Sequence, residues 1–123
     1  MKTVIAGSRE CIDPKMLMNA IDQCPWEITS VVCGMAKGAD TLGERYAYDH
    51  NLIVHKFPAD WNTYGRSAGY RRNEEMAKFG EACIVLWDGE SRGSKHMIDL
   101  ALQYNLPCLV NKYLINELSL HNW

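Results

Sequence analysis

Ala82-Cys83-Ile84-Val85-Leu86-Trp87 is an unbroken apolar run, and Asp88-Gly89-Glu90-Ser91-Arg92-Gly93-Ser94 follows it directly. A run this short, closed by turn residues, predicts a strand buried on both faces, as the central strands of parallel sheets are. Downstream, Met97, Leu100, Ala101 and Tyr104 fall at i, i+3, i+4 and i+7 and give a helix one apolar face, after which Pro107 to Val110 reads as another strand. Upstream the alternation repeats. Lys2 to Ala6, Ile28 to Cys33 and Leu52 to Phe57 read as strands. Asp13-Pro14 starts a helix whose apolar positions are Leu17, Ala20, Ile21 and Cys24. A second helix carries Leu42, Tyr46 and Ala47; Pro58 to Gly65 reads as a loop, and a helix runs from about Arg66 to Phe79.

This β-α-β-α-β-α-β-α-β pattern specifies an α/β fold: a single Rossmann-like three-layer domain over residues 1–111, with a five-stranded parallel sheet of order 3-2-1-4-5 and helices on both faces. Residues 112–123 form a tail, rich in large apolar side chains from Tyr113 to Trp123. It is expected to pack on the domain or on a second subunit, and self-association as a dimer is the expectation drawn from it.

The chain has 123 residues, enough for one core, with 47% hydrophobic and 23% charged residues, which sets disorder and fibrous classes aside. A net charge of -2 and a pI near 6.0 argue against wholesale binding of duplex nucleic acid or anionic membrane. The apolar runs are too short to span a bilayer and no signal peptide is legible, so the expectation is a cytoplasmic protein without membrane contact. Five cysteines without a Cys-x-x-Cys pair, mostly in apolar runs, read as reduced core residues. Neither they nor the histidines have metal-ligand spacing, so no metal and no cofactor is called for.

In the 3-2-1-4-5 order the topological switch point lies between the first and fourth strands, where open α/β sheets bind ligands. Four loops converge there: Gly7-Ser8-Arg9, Gly34 to Asp40, Pro58 to Arg72, and Asp88 to Lys95. They hold seven of the thirteen basic residues of a slightly acidic chain, so the edge is expected to be a focused positive patch. Glycines let backbone amides approach a ligand, and two of the loops end at helix N-termini, which favour anions. Surface loops carry glycine, lysine and arginine for ordinary reasons as well; it is their convergence at one edge that favours a phosphate-bearing ligand. Neither the dinucleotide pattern G-x-G-x-x-G nor the Walker A pattern is present.

The contact candidates are Gly7, Ser8 and Arg9 on the first loop and Gly34, Met35, Lys37, Gly38 and Asp40 on the second. Trp61, Arg72 and Asn73 follow on the third, and Asp88, Gly89, Arg92, Gly93 and Ser94 on the fourth. Ser94 is also a normal helix N-cap, Trp87 leans toward core packing, and Thr41 with Glu44 reads as a capping box while Asp40 closes its loop. Asp88 and Glu90 follow the fourth strand and are the candidates for ribose contact or catalysis. Trp61 has the shape to stack on a base.

The ordered set of Gly7-Ser8-Arg9, Val32 to Asp40, Phe57 to Trp61 with Tyr64-Gly65, Ala68-Gly69 with Arg72-Asn73, and Trp87 to Ser94 resembles the SLOG superfamily, and within it the small YspA/YpsA-related branch of bacteria and their phages. The resemblance spans roughly residues 2 to 111. It implies a Rossmann-like domain that takes a nucleotide or nucleotide-derived small molecule as its partner, as a sensor, sequestering protein or regulatory module. Related lonely-guy phosphoribohydrolases imply a second reading, N-glycosidic hydrolysis of nucleotides. Of their Gly-Gly-x-Gly-Thr-x-x-Glu motif, however, the threonine is matched by Ser94 and the catalytic glutamate by Met97. The related DNA-processing protein implies a third reading, single-strand nucleic-acid binding, which the low overall charge disfavours.

Overall fold

The computed structural model describes residues 1–35 and 38–113. Its sheet is parallel and ordered β3-β2-β1-β4-β5, with β1 (Lys2–Gly7), β2 (Ser30–Cys33), β3 (Ile53–Lys56), β4 (Ala82–Trp87) and β5 (Cys108–Lys112). β4 lies inside the sheet between β1 and β5, and Ala82 to Leu86 are fully buried, as an unbroken apolar run requires.

Alternate strand residues face opposite layers. Ile5, Val31, Cys33, Ile84 and Leu86 pack under α1 (Pro14–Gln23) and α2 (Ala39–Asp49), with Leu17, Ala20 and Ala47 facing them. Val4, Ala6, Val32, Cys83 and Val85 pack under α4 (Ala68–Phe79) and α5 (Arg92–Gln103), with Met76, Met97 and Leu100 facing them. Two helices therefore cover each face, and each buried large aliphatic side chain contributes about 1.5–3 kcal/mol. All five cysteines are free thiols, and burial pushes that of Cys11 up to about 11.

Local chemistry sets the element ends. Asp13 caps α1, its carboxylate accepting from Lys15 N at 3.0 Å, with Pro14 in the first turn. Three expectations are corrected. The segment Pro58 to Gly65 is not loop throughout: Trp61–Tyr64 form a one-turn helix, α3, because Asp60 caps Thr63 N at 3.1 Å, and a 3₁₀ turn, Gly65–Ser67, joins it to α4. Thr41 and Glu44 form no capping box, since α2 begins at Ala39 behind Gly38 and no side chain caps it. Glu44 instead pairs with Lys56 at 3.3 Å. The cap of α5 is Ser91, whose hydroxyl accepts from Ser94 N at 3.4 Å, which places Ser94 in the first turn rather than at the cap.

β5 runs to Lys112, and Tyr113 is buried beside Cys11 in the core under α1. The rest of the tail, residues 114–123, and Ala36 and Lys37 of the second loop lie outside the described residues. Among the described residues no helix is long and apolar enough to cross a membrane, and no group of three or more His, Cys, Asp or Glu could hold a metal ion.

Candidate functional site

The carboxyl ends of β1 and β4 open into a cavity of about 540 Å³. Gly7 at the end of β1, Arg9 after it, Asp40 from α2, Arg72 and Asn73 from α4, and Asp88 after β4 all line it. Trp61, Glu90, Gly93 and Ser94 complete the predicted residues found on its wall. Gly34 and Met35 line a smaller cavity of about 330 Å³ with Arg9, Trp61 and Arg72. Ser8, Gly38, Gly89 and Arg92 line neither, and Lys37 lies outside the described residues.

Ser8 is wholly buried and serves as a knot. Its amide donates to Leu86 O at 2.9 Å, its carbonyl accepts from Cys11 N and Ala39 N, and its hydroxyl accepts from Asp88 N at 3.1 Å. This ties the β1 loop to the β4 loop and to the start of α2. Gly38 closes the same knot at φ +77°, and a Cβ there would lie 2.5 Å from Arg9 O, so the approach of the second loop to the first needs glycine.

Arg72 spans two loops. Its Nη1 donates to Gly34 O and its Nε to Asn73 Oδ1 at 2.9 Å. A Cβ at Gly34 would run into the Arg72 guanidinium and displace it. Burial pulls the Arg72 pKa below its ordinary value, the Asp40 carboxylate opposes that, and the nearby Arg9 charge adds to it. Asn73, which is buried, turns its amide nitrogen toward Gly93 O at 3.4 Å and His96 Nδ1 at 3.3 Å. Burial lowers the His96 pKa, and a neutral imidazole suits that acceptor role. The Arg72-Asn73 pair thus links the β2 loop to the start of α5.

Asp88 shapes the fourth loop. Its Oδ1 accepts from Glu90 N and Ser91 N, both at 2.8 Å. Burial pushes its carboxyl up, but the amides of Ser91 and Glu90 and the Ser8 hydroxyl outweigh burial and hold it below the usual carboxylate range. Trp87 Nε1 donates to Ser91 O at 3.0 Å, which fixes the entry to α5. The first-turn amides of Arg92 and Gly93 stand ahead of the helix's own ladder, with open space where a Gly93 Cβ would be.

The far wall is different in kind. Arg9, Trp61, Arg66 and Tyr70 are exposed side chains standing over the cavity. Arg66, one of the seven basic residues expected at this edge, also lines it, together with Glu10, Tyr70 and Ser91, which were not among the predicted contacts. Tyr70 follows Gly69 on the α4 face that carries Asn73, a helical spacing that was available as a signal; Glu10 carried none. Met97 is buried on the floor of the cavity, where the phosphoribohydrolase motif has its glutamate.

Residues 1–64 match the family described as YAcAr: YspA, cpYpsA-related SLOG family. The chain belongs to the YspA, cpYpsA-related SLOG family. A second similarity runs along most of this SLOG chain: Gene 61 protein of Mycobacterium phage D29 is 30% identical over 118 residues, 88% of this chain and 94% of that protein. No solved structure matches. Arg72, Asn73 and the β4–α5 loop of this SLOG protein lie beyond the matched residues 1–64 and line the same cavity.

Proposed function

We propose that this protein binds a nucleotide or nucleotide-derived small molecule at the carboxyl edge of its sheet and acts as a sensor, sequestering or regulatory module. The observation that carries the reading is the 540 Å³ cavity at the β1/β4 switch point, bordered by Arg9, Arg66 and Arg72 and by the first turn of α5. Its volume falls in the range of small-molecule sites, and phosphate is the group that answers both guanidinium donors and helix-end amides. Membership of a SLOG family is consistent with such a ligand.

Asp88 and Glu90 are assigned to ribose hydroxyls. A carboxyl held below the usual range is ionised at neutral pH, accepts hydrogen bonds, and is a poor general acid. Met97 can neither move a proton nor stabilise positive charge, so slow or absent hydrolysis of nucleoside monophosphates is the expected outcome; free base released over many turnovers per minute would refute it. Gly7, Gly34, Met35, Lys37, Asp40 and Trp61, with Gly93 and Ser94, are proposed as further ligand contacts. Ser8, Gly38, Arg72, Asn73, Gly89 and Arg92 are proposed to shape those contacts.

The test is calorimetric titration with nucleoside mono-, di- and triphosphates. Arg9→Ala is expected to weaken binding by about 1.5–3 kcal/mol, as loss of a charge-assisted hydrogen bond does, while the melting temperature stays put. Unchanged affinity in a folded variant would overturn the site. Dimerisation through the tail is proposed separately; deletion of residues 114–123 should then convert a dimer to a monomer in light scattering.

A further inference from the structure

Cys83 and Cys108 are directly opposite partners in the parallel pairing of β4 with β5. Both side chains belong to the layer under α4 and α5, Cys83 fully buried there and Cys108 half-buried. The other three cysteines stand apart from this pair: Cys11, Cys24 and Cys33 belong to the opposite layer, under α1 and α2. Neighbouring strands run about 4.8 Å apart, and a disulfide joins residues whose Cα atoms are about 4.4–6.8 Å apart with side chains on a common face. The register of β4 and β5 meets both conditions. A bridge also asks the two Cβ atoms to close to about 3.8 Å. β5 is free to make that approach, because among the described residues it is an outer strand paired on one side, whereas β4 is held between two neighbours.

The two thiols are unequal. Cys83 is 0% exposed, so an oxidant in water meets Cys108 first. Hydrogen bonding to Cys83 pulls the Cys108 thiol below its ordinary value while burial pushes the other way, and the same hydrogen bond together with burial raises Cys83. The thiolate is the nucleophile, which makes Cys108 the group that attacks and Cys83 the group that resolves.

We propose that Cys83 and Cys108 are a modification site for hydrogen peroxide, which oxidises the pair to a reversible disulfide that pins β5 to β4. The Cys108 thiolate attacks one peroxide oxygen; the S–O bond forms, the O–O bond breaks, and the departing hydroxide takes up the proton Cys108 gave up and leaves as water. Cys83 then loses its proton and its sulfur attacks the Cys108 sulfur; the S–S bond forms as the S–O bond breaks, and hydroxide leaves with that proton as a second water. Two thiols and one peroxide become one disulfide and two waters, the thiols losing two electrons to the peroxide. The bridge lies at the amino ends of β4 and β5, at the opposite edge of the sheet from the cavity, so its effect falls on the outer strand.

The experiment treats the reduced full chain in native buffer with hydrogen peroxide until free cysteine in a parallel sample is consumed, and reads intact mass and non-reducing peptide maps. The expected result is a loss of about 2 Da and a peptide pair joining Cys83 to Cys108, both reversed by dithiothreitol. Cys108→Ser should leave Cys83 a thiol, and Cys83→Ala should stop the reaction at a Cys108 sulfenic acid that dimedone traps; Cys83→Ser repeats the trap should the alanine variant unfold, and thermal melts report which variants fold. Hydrogen exchange at the Leu109 and Val110 amides should slow by about threefold or more on oxidation. A treated wild type in which both residues are still thiols would overturn the site, as would a bridge from either to another cysteine or a bridge that forms only in urea. Oxidation of Cys83 in Cys108→Ser at the wild-type rate would overturn the order of attack, and unchanged exchange would overturn the pinning of β5.

Discussion

The two walls of the cavity are built on opposite principles. On the wall made by Arg72, Asn73 and Asp88, with Ser8 and Gly38 behind it, polar groups that look like ligand contacts by residue type are committed to the protein's own backbone and side chains. On the wall made by Arg9, Trp61, Arg66 and Tyr70, the side chains are exposed, and Tyr70 meets α5 through an edge-on ring contact with His96. The first wall is a frame held by the protein's own hydrogen bonds. The second supplies donors and ring faces at little cost to stability. Substitutions should therefore separate cleanly: frame residues move stability and carry binding with them, open-wall residues move binding alone.

The largest effect is expected at Gly38. Alanine there must hold φ near +77° with its Cβ 2.5 Å from Arg9 O and 2.6 Å from Arg9 C, so backbone must shift. A loss of about 2–4 kcal/mol in urea unfolding is expected. A midpoint within experimental error of the wild type would mean that the two loops are not locked together as described.

Arg72→Ala comes next. It removes the guanidinium donors to the Gly34 carbonyl and the Asn73 side chain, and about 1–3 kcal/mol of stability should go with them. Arg72→Lys should recover less than half, because a single ammonium cannot serve two acceptors from one planar fork. Full recovery by lysine would show that charge, not bridging geometry, is what the frame needs.

Asp88 gives a pH-dependent version of the same comparison. Its folded carboxyl titrates below the unfolded value of about 3.9, so the stability it adds is complete above that value and is lost as pH falls through the folded pKa. Asp88→Asn keeps an oxygen acceptor for Glu90 N and Ser91 N but drops the charge. The gap in urea midpoint between wild type and variant should be widest near pH 6 and should close toward pH 3; a gap independent of pH would refute the assignment.

Smallest on stability is the open wall. Arg66→Ala and Tyr70→Phe should each stay within about 0.5 kcal/mol of wild type in unfolding. Under the proposed function, Arg66→Ala weakens the nucleoside phosphate that binds best, and Tyr70→Phe changes affinity less. Should Arg66→Ala lose stability like a frame residue, the division into two walls would fail.

Much of this was legible in the chain itself. The unbroken apolarity of Ala82 to Leu86, the 3.6-residue spacing of Leu17, Ala20 and Ile21, and Asp13-Pro14 are local signals, and each determined an element because burial periodicity and capping act within a few residues of sequence. Strand order followed from right-handed crossover rules, and that order alone brought four loops to one edge. The sequence also supplied the residue types at that edge, including Arg9 and the β4–α5 turn.

What only the tertiary structure decided is the role each residue plays there. Arg72 finds the Gly34 carbonyl across 38 positions of chain, and Asp88 N meets the Ser8 hydroxyl across 80; nothing local distinguishes such a partner from a ligand. Helix starts shifted for the same reason. Gly38, pressed against Arg9, begins α2 ahead of the Thr41 signal, and the Ser91 hydroxyl, accepting from Ser94 N, caps α5 ahead of Ser94. Residue type determines which hydrogen bonds are possible, whereas their assignment depends on which loops the sheet sets side by side, and that is a property of long-range packing rather than of any segment of sequence.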